Sequence, residues 1–523
     1  MSVANVQQQT GAQWLLRSAA RADIRMCFAN PGTTELPFVT ALDSVPEVRP
    51  VLSLFEGVCS GAADGYFRIS RKPAMVLTHL GPGFANSIAN FHNARRARSA
   101  IFNVIGDHMT WHLAADAPLA SDINSLASPV SAGVWRANSA EALQRGTLAA
   151  LGQVRGKKAG IATLILPMDM QSVPISAPLA DVVVNSSKDM HNQQAVEELA
   201  ARIRKNERVL LLLGDDALAE KALLQASRLV GLPQLELIGE TFPATSEHGG
   251  GLPAIRRFPY LAEQAHPYLL EFDCVALVGA KPPVAFFGSE GYPSFLGDPA
   301  RMITVSEPGS GGLDALERLA DALKRPAPFL ATPDRISDAG LAEDLTPATA
   351  SQVIAAHLPE NAVVSAEGGT LGFPFNQLAY GAARHTTMVL TGGAIGQGLP
   401  CAFGASMAVP DRKVVALQSD GSALFTPQAL WSMARESANV VVLIASNQRY
   451  QVLQNEMKRT GNLPQAPAVQ NLLSISGPNV DWQALSASFG VPSKRVASVS
   501  DLRRTFQAAI AEPGPRLIEV MLP

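Results

Sequence analysis

The chain has little that would tie it to an oxidising compartment, a membrane or a nucleic acid. Its four cysteines, Cys27, Cys59, Cys274 and Cys401, stand far apart with no CxxC spacing. That pattern argues against a disulfide framework and a cysteine-ligated zinc site, and suits a reducing cytoplasm. No run of about 18 apolar residues occurs, so no membrane-spanning helix is expected. The first residues, MSVANVQQQTGAQWLL, lack a basic segment followed by an apolar one and read as a soluble, unprocessed start. An excess of one charge is lacking too: 42 Lys and Arg against 45 Asp and Glu leave a net charge of -3, which offers no general attraction to phosphate backbones or anionic lipid. There is no short-period repeat and no low-complexity tract.

What is present is apolar material for several cores. Of 523 residues, 47% are hydrophobic and 17% charged, and at about 100–200 residues per domain the length suggests three. From Gln13 to about Ile175, the β-rich runs PAMVLTHL, SAIFNVIG and GIATLILP alternate with stretches of helical spacing such as EGVCSGAADGYFRIS. This is the α/β rhythm of parallel strands joined by crossover helices, with ligands beyond the carboxyl ends of the strands. Pro174 to Ser187 separates this block from a second with the buried strands RVLLLLGDDA and CVALVGAKPP, and the Pro-rich KRPAPFLATPDR precedes a third. The expected domains are 1–180, 190–328 and 346–523.

In the third block, VVALQSDG and VVVLIASN flank the helical segment ALWSMARES and place Asp420 and Asn447 at two strand ends on one rim of a sheet. Their hard oxygens, with a nearby backbone carbonyl, suit Mg²⁺ shared with a phosphate, and Gly421 and Ser422 offer backbone N–H groups to that phosphate. An Asp-Gly turn and an Asn-initiated turn with no ligand would look the same. In the first block, Glu56 lies among apolar and small residues, where a carboxylate needs a partner or the favourable end of a helix dipole.

Taken together, NPGTTELPF, FEGVCSGAADGYFR, LTHLGPGFAN, GGAIGQGLP and SDGS…SN resemble, in order and across nearly the whole chain, the thiamine-diphosphate enzyme superfamily, in its acetolactate synthase-like and benzoylformate decarboxylase-like branches. The resemblance implies an α/β chain of three domains, each a mainly parallel sheet flanked by helices: an N-terminal pyrimidine-binding domain, a central domain and a C-terminal diphosphate-binding domain. It implies that Glu56 hydrogen-bonds the cofactor's pyrimidine nitrogen and promotes loss of the thiazolium C2 proton, in a dry pocket flanked by Leu54, Phe55 and Val58. By the same resemblance, Ile395 props the cofactor in its bent shape, although a core isoleucine would look alike in sequence. The Gly393 carbonyl receives the cofactor's amino group. Asp420, Asn447 and the main-chain carbonyl of Arg449 hold Mg²⁺, and Gly369, Thr370, Gly421 and Ser422 cradle the diphosphate.

Two positions depart from the family pattern. Ser419 stands where glycine is usual and costs backbone freedom, and Ser446 stands where an amide is usual, so weakened cofactor binding is one expectation. His79 matches an active-site histidine of the benzoylformate decarboxylase-like branch and suits proton transfer near neutrality, and Thr33 matches a hydroxyl that contacts the substrate carboxylate. The second histidine of that branch falls at Phe286 or Phe287, neither of which moves a proton. Phenylalanines there give an apolar pocket that favours C–C bond formation. His108 and His112 lack a third ligand, and Arg95, Arg96 and Arg98 read as a solvated helix end. SEHGGGLPAIRRFPYL lacks the features of flavin-containing relatives, so FAD is not expected.

The function this implies is decarboxylation of a 2-oxo acid, carboligation, or both. The two are not separable in sequence, and a catalytically silent binding or regulatory homologue and a flavin-dependent oxidase are the readings from other classes. A homodimer is the minimum unit, since in such relatives two subunits share a site, and a homotetramer is the common assembly.

Overall fold

The computed structural model describes residues 8–156, 158–179, 191–332, 334–461 and 466–523. Three parallel sheets carry the architecture. The first runs in the spatial order Arg49–Leu52, Met26–Asn30, Ala74–Thr78, Ile101–Asp107, Ile161–Pro167, Gly133–Arg136. Numbered along the chain, that order is 2-1-3-4-6-5. The third has the same order in the strands Ala362–Ala366, His385–Val389, Val414–Ser419, Val440–Ser446, Ser493–Val496 and Arg516–Met521. Between them in sequence, Arg256–Arg257, Leu235–Gly239, Val209–Leu213, Cys274–Val278 and Met302–Ser306 form a five-stranded sheet of order 3-2-1-4-5.

The strands are the apolar runs the composition supplies. VVVLIAS at Val440–Ser446 is buried at every position, as a central parallel strand covered on both faces must be. Two features cross the expected boundaries. Ser246–His248, from the middle of the chain, pairs antiparallel with His385–Thr387 and forms the edge of the third sheet. Pro174–Ile175, expected to begin a linker, pairs antiparallel with Gln9–Thr10, while the rest of that linker from residue 180 lies outside the described residues.

One apolar core joins the first and third sheets through two helices, Glu56–Ser70 and Gly398–Ala408. They cross at Gly65 and Gly404, where a β-carbon on either would overlap the partner helix's backbone at Cys401 or Ala62. Beside the crossing, the fully buried pair Arg68 and Asp64 (2.7 Å) also receives Gln397 Nε2 at 2.8 Å, and Arg68 donates to the Val389 carbonyl. Burying this pair is tolerable because its remaining polar atoms are hydrogen-bonded.

Candidate active site

In each outer sheet the chain reverses its winding between two neighbouring strands, and the candidate residues collect at those points, where open α/β sheets bind ligands. In the first sheet the reversal lies between Met26–Asn30 and Ala74–Thr78, the first ending at Asn30 and the second leading into His79. Glu56 opens the helix Glu56–Ser70 nearby and is 7% exposed, with Oε1 accepting from Asn30 Nδ2 and Oε2 from Asn86 Nδ2, each at 3.0 Å. Both expected features hold: the carboxylate sits at a helix N-terminus and it is buried. Its surroundings are more polar than expected. Val58 is buried, but Leu54 is 44% exposed, and the immediate partners are two amides.

His79 stands beside Glu35, which sequence reasoning missed. Glu35 is fully buried and its carboxylate gathers the Gly32 N–H (2.7 Å), the Thr34 hydroxyl (2.6 Å) and His79 Nδ1 (2.8 Å). Its carboxylate occupies the space that a β-carbon at Gly106 would need. Contact with a carboxylate requires the hydrogen on Nδ1, which leaves Nε2 for a reacting group. The signal was in NPGTTELPF, where an acid among apolar residues needs a partner. Thr33 is exposed at the start of the short turn Thr33–Glu35; its neighbour Thr34 makes the contact to the histidine. Leu80, directly after His79, is buried with φ of +53°, a strained conformation of the kind found at functional sites.

In the third sheet the reversal lies between Ala362–Ala366 and Val414–Ser419, which lead into Glu367 and Asp420. Asp420 is buried. Its Oδ2 accepts the backbone N–H groups of Asn447 (3.0 Å) and Gln448 (2.6 Å). Burial pushes its carboxyl above the ordinary value, against the pull of those N–H groups. Asp420, the Asn447 amide and the Arg449 carbonyl, which accepts Gln451 N–H at 3.0 Å and keeps a second lone pair, are thus brought together around a turn whose middle residue, Gln448, has φ of +57°. These all-oxygen donors fit a hard divalent cation. Among the described residues no group of three His, Cys, Asp or Glu is placed to hold a metal ion, and the rings of His108 and His112 merely meet edge to face. Gly421 and Ser422 lie buried in the turn Asp420–Ala423, and Gly369 and Thr370 open the helix Gly369–Leu378 on the same rim.

Ser419 is a correction. It has φ of −90° and ψ of 149°, extended backbone that any residue adopts, so serine costs nothing there. Ser446 ends the buried strand Val440–Ser446. The loop Gly392–Gln397 carries the remaining candidates. Ile395 is 37% exposed, which removes the core-isoleucine alternative. Gly393 has φ of +79°, and a β-carbon on it would lie 3.0 Å from the ring of Phe286. Phe286 is 42% exposed and belongs to an aromatic wall with Phe242, Tyr260 and Phe287, at ring separations of 5.5, 5.2 and 4.8 Å. Glu367, also missed, accepts the N–H groups of Gly396, Gln397 (3.2 Å) and Gly398 (2.8 Å), tying this loop to the rim.

The central sheet reverses between Val209–Leu213 and Cys274–Val278, and acidic residues fill that crevice. Asp215 is held by Arg98 at 2.9 Å, so Arg98 is an interdomain contact while Arg95 and Arg96 form the solvated helix end expected of all three. Asp216 accepts the Gly312 N–H at 2.7 Å, at the start of the helix Gly312–Ala322.

Comparison with known proteins agrees with this arrangement. IlvX of Mycobacterium tuberculosis, a protein named after the acetolactate synthase large subunit, is 42% identical over 98% of this chain and 99% of its own length. Benzoylformate decarboxylase of Pseudomonas aeruginosa is 26% identical over 96% of each chain. The solved structure of a thiamine diphosphate-dependent 4-hydroxybenzoylformate decarboxylase from Rhodococcus jostii RHA1 superposes with a TM-score of 0.84 at 25% identity, covering 98% of this chain and 99% of that one. Residues 9–126 match the thiamine pyrophosphate enzyme N-terminal TPP-binding domain and residues 367–520 the C-terminal one, so the chain belongs to the thiamine pyrophosphate enzyme family.

Proposed function

We propose that this enzyme, with thiamine diphosphate and Mg²⁺, decarboxylates a 2-oxo acid and joins the remaining fragment to a second carbonyl compound with an apolar or aromatic side chain. The observation that carries this reading is the aromatic wall of Phe242, Tyr260, Phe286 and Phe287 beside Gly393. At Phe286 and Phe287 it offers apolar surface and no group that moves a proton. The cofactor, when bound, supplies an electron sink for the bond cleaved beside the carbonyl. Glu56 holds a proton at its carboxylate, steadied by Asn30 and Asn86. His79 exchanges a proton at Nε2 with the substrate oxygen while Glu35 pins Nδ1. Thr33 binds the substrate carboxylate, and the phenylalanines exclude water.

Asp420, Asn447 and the Arg449 carbonyl would hold Mg²⁺, and Gly369, Thr370, Gly421 and Ser422 the diphosphate. Two copies complete the site, and a homotetramer is the proposed assembly. In support, Leu36 and Leu54 beside the first rim and Phe373, Ile395 and Phe425 beside the second all remain exposed in the single chain. Flavin is not part of this reading, and in the central sheet Asp216 caps the helix Gly312–Ala322. No helix among the described residues is long and apolar enough to cross a membrane, and the four cysteines are free and buried, in keeping with a cytoplasmic enzyme. The His79–Glu35 pair favours a second reading, simple decarboxylation to an aldehyde. NMR of products from pyruvate, benzoylformate and longer 2-oxo acids, with and without an acceptor aldehyde, separates the two. A hydroxy-ketone or acetohydroxy acid supports carboligation, aldehyde alone supports the second reading, and survival of every substrate with cofactor bound refutes both.

A further inference from the structure

The helix Leu80–Arg96 lies along the loop that carries Gly393 and Ile395, and one side chain makes the closest attachment. Asn93, fully buried, donates from Nδ2 to the Ala394 carbonyl at 2.7 Å and accepts the Ala394 N–H on Oδ1 at 3.2 Å. The Thr391 hydroxyl donates to Asn93's own carbonyl at 2.8 Å, and His92 Nε2 lies 3.0 Å from the Gly392 carbonyl. The Gly393–Ala394 peptide is trans, so its carbonyl and its N–H point in opposite directions. Holding the Ala394 N–H on the helix therefore turns the Gly393 carbonyl away from it. The same holds one residue on, where capture of the Ala394 carbonyl turns the Ile395 N–H outward. A carboxamide supplies the donor and the acceptor together; a carboxylate keeps only the acceptor, and an aliphatic side chain supplies neither.

We infer that Asn93 is a positioning residue for cofactor activation: by binding both backbone groups of Ala394 it sets the direction of the Gly393 carbonyl. This rests on the proposal that this carbonyl receives the cofactor's amino group. The deciding measurement is the rate at which the C2 proton of bound thiamine diphosphate exchanges for deuterium, followed by quenched-flow NMR on the holoenzyme. Cofactor affinity from fluorescence titration and apoprotein melting are measured alongside. Asn93→Leu, which removes donor and acceptor at similar volume, should slow exchange on the bound cofactor by ~10-fold or more. Asn93→Asp keeps the acceptor for the Ala394 N–H but sets a carboxylate oxygen against the Ala394 carbonyl, which the amide nitrogen now meets at 2.7 Å, and should also slow exchange. If the leucine variant does not fold, Asn93→Ala answers the same question with less bulk. Wild-type exchange in the leucine, alanine or aspartate variant overturns the inference. A lower melting point with exchange unchanged would make Asn93 merely structural. Glu56→Gln serves as the control: if it too exchanges at the wild-type rate, the reading of the cofactor site fails, whereas slow exchange there with fast exchange in Asn93→Leu sinks only the role of Asn93.

Discussion

A histidine that gives or takes a proton at one ring nitrogen needs the other nitrogen committed, and in the proposed mechanism Glu35 makes that commitment for His79. Replacing Glu35 by Gln keeps the shape but removes the charge, and should lower kcat by ~10–100-fold with cofactor binding unchanged. Steady-state kinetics beside a cofactor titration would show it, and an unchanged kcat would return Glu35 to a folding role. Glu56→Gln should keep cofactor affinity near wild type while slowing C2 proton exchange by ~100-fold or more; full turnover would mean the proton is handled elsewhere. Asp420→Ala should leave protein that emerges from gel filtration without thiamine diphosphate. Because burial raises the Asp420 carboxyl, protons should also compete for it at a higher pH than for an ordinary aspartate, so metal-dependent cofactor retention should weaken as the pH falls. Glu56, His79, Asp420 and Asn447 were legible because their types and spacing belong to recognisable motifs. Glu35, Glu367 and Asn93 were not, because each acts on backbone or on a neighbour that only the fold brings near.

At the scale of elements, the apolar and periodic segments predicted central strands of all three sheets and the helices Glu56–Ser70 and Ala429–Arg435, and left most of the other helices unread. Two pairings were missed: Ser246–His248 on the third sheet, and Pro174–Ile175 against Gln9–Thr10. Strands of two or three residues are stabilised by their partner rather than by their own pattern, so the sequence carries almost no trace of them. The crossing of Glu56–Ser70 with Gly398–Ala408 follows the same logic, since its glycines look like helix breakers until the second helix is in place. Gly404→Ala should drive its methyl group into the Ala62 carbonyl and cost about 3 kcal/mol, or yield insoluble protein. A melting temperature within about 2 °C of wild type would show that the helices shift apart freely.

Across the whole molecule, the first and third sheets share one strand order although the sequence has no short-period repeat, and the candidate site residues of each sit at equivalent points of that order. The central sheet contributes Glu240, whose carboxyl burial pushes up to about 7, with Arg98 beside it pulling the other way. Its folded value exceeds the unfolded one, so the folded state binds the extra proton. The stability this gives is complete below the unfolded value near 4.5 and is lost as the pH rises through about 7. Glu240→Gln should therefore be more stable than wild type at pH 8 by ~1–2 kcal/mol and lose that advantage toward pH 5, as read by denaturant titration. An advantage independent of pH would assign the effect to packing. The sequence by itself determined the fold class and the family and marked the candidate site residues, because apolar periodicity and short motifs are local properties of the chain. The tertiary structure alone decided which carboxylate orients His79, that Ser419 is unstrained, that Phe286 lies against Gly393 and that Asn93 holds Ala394. Apart from the Ser419 backbone, each of these is a contact between segments far apart in sequence, and only packing brings them within hydrogen-bonding or van der Waals range.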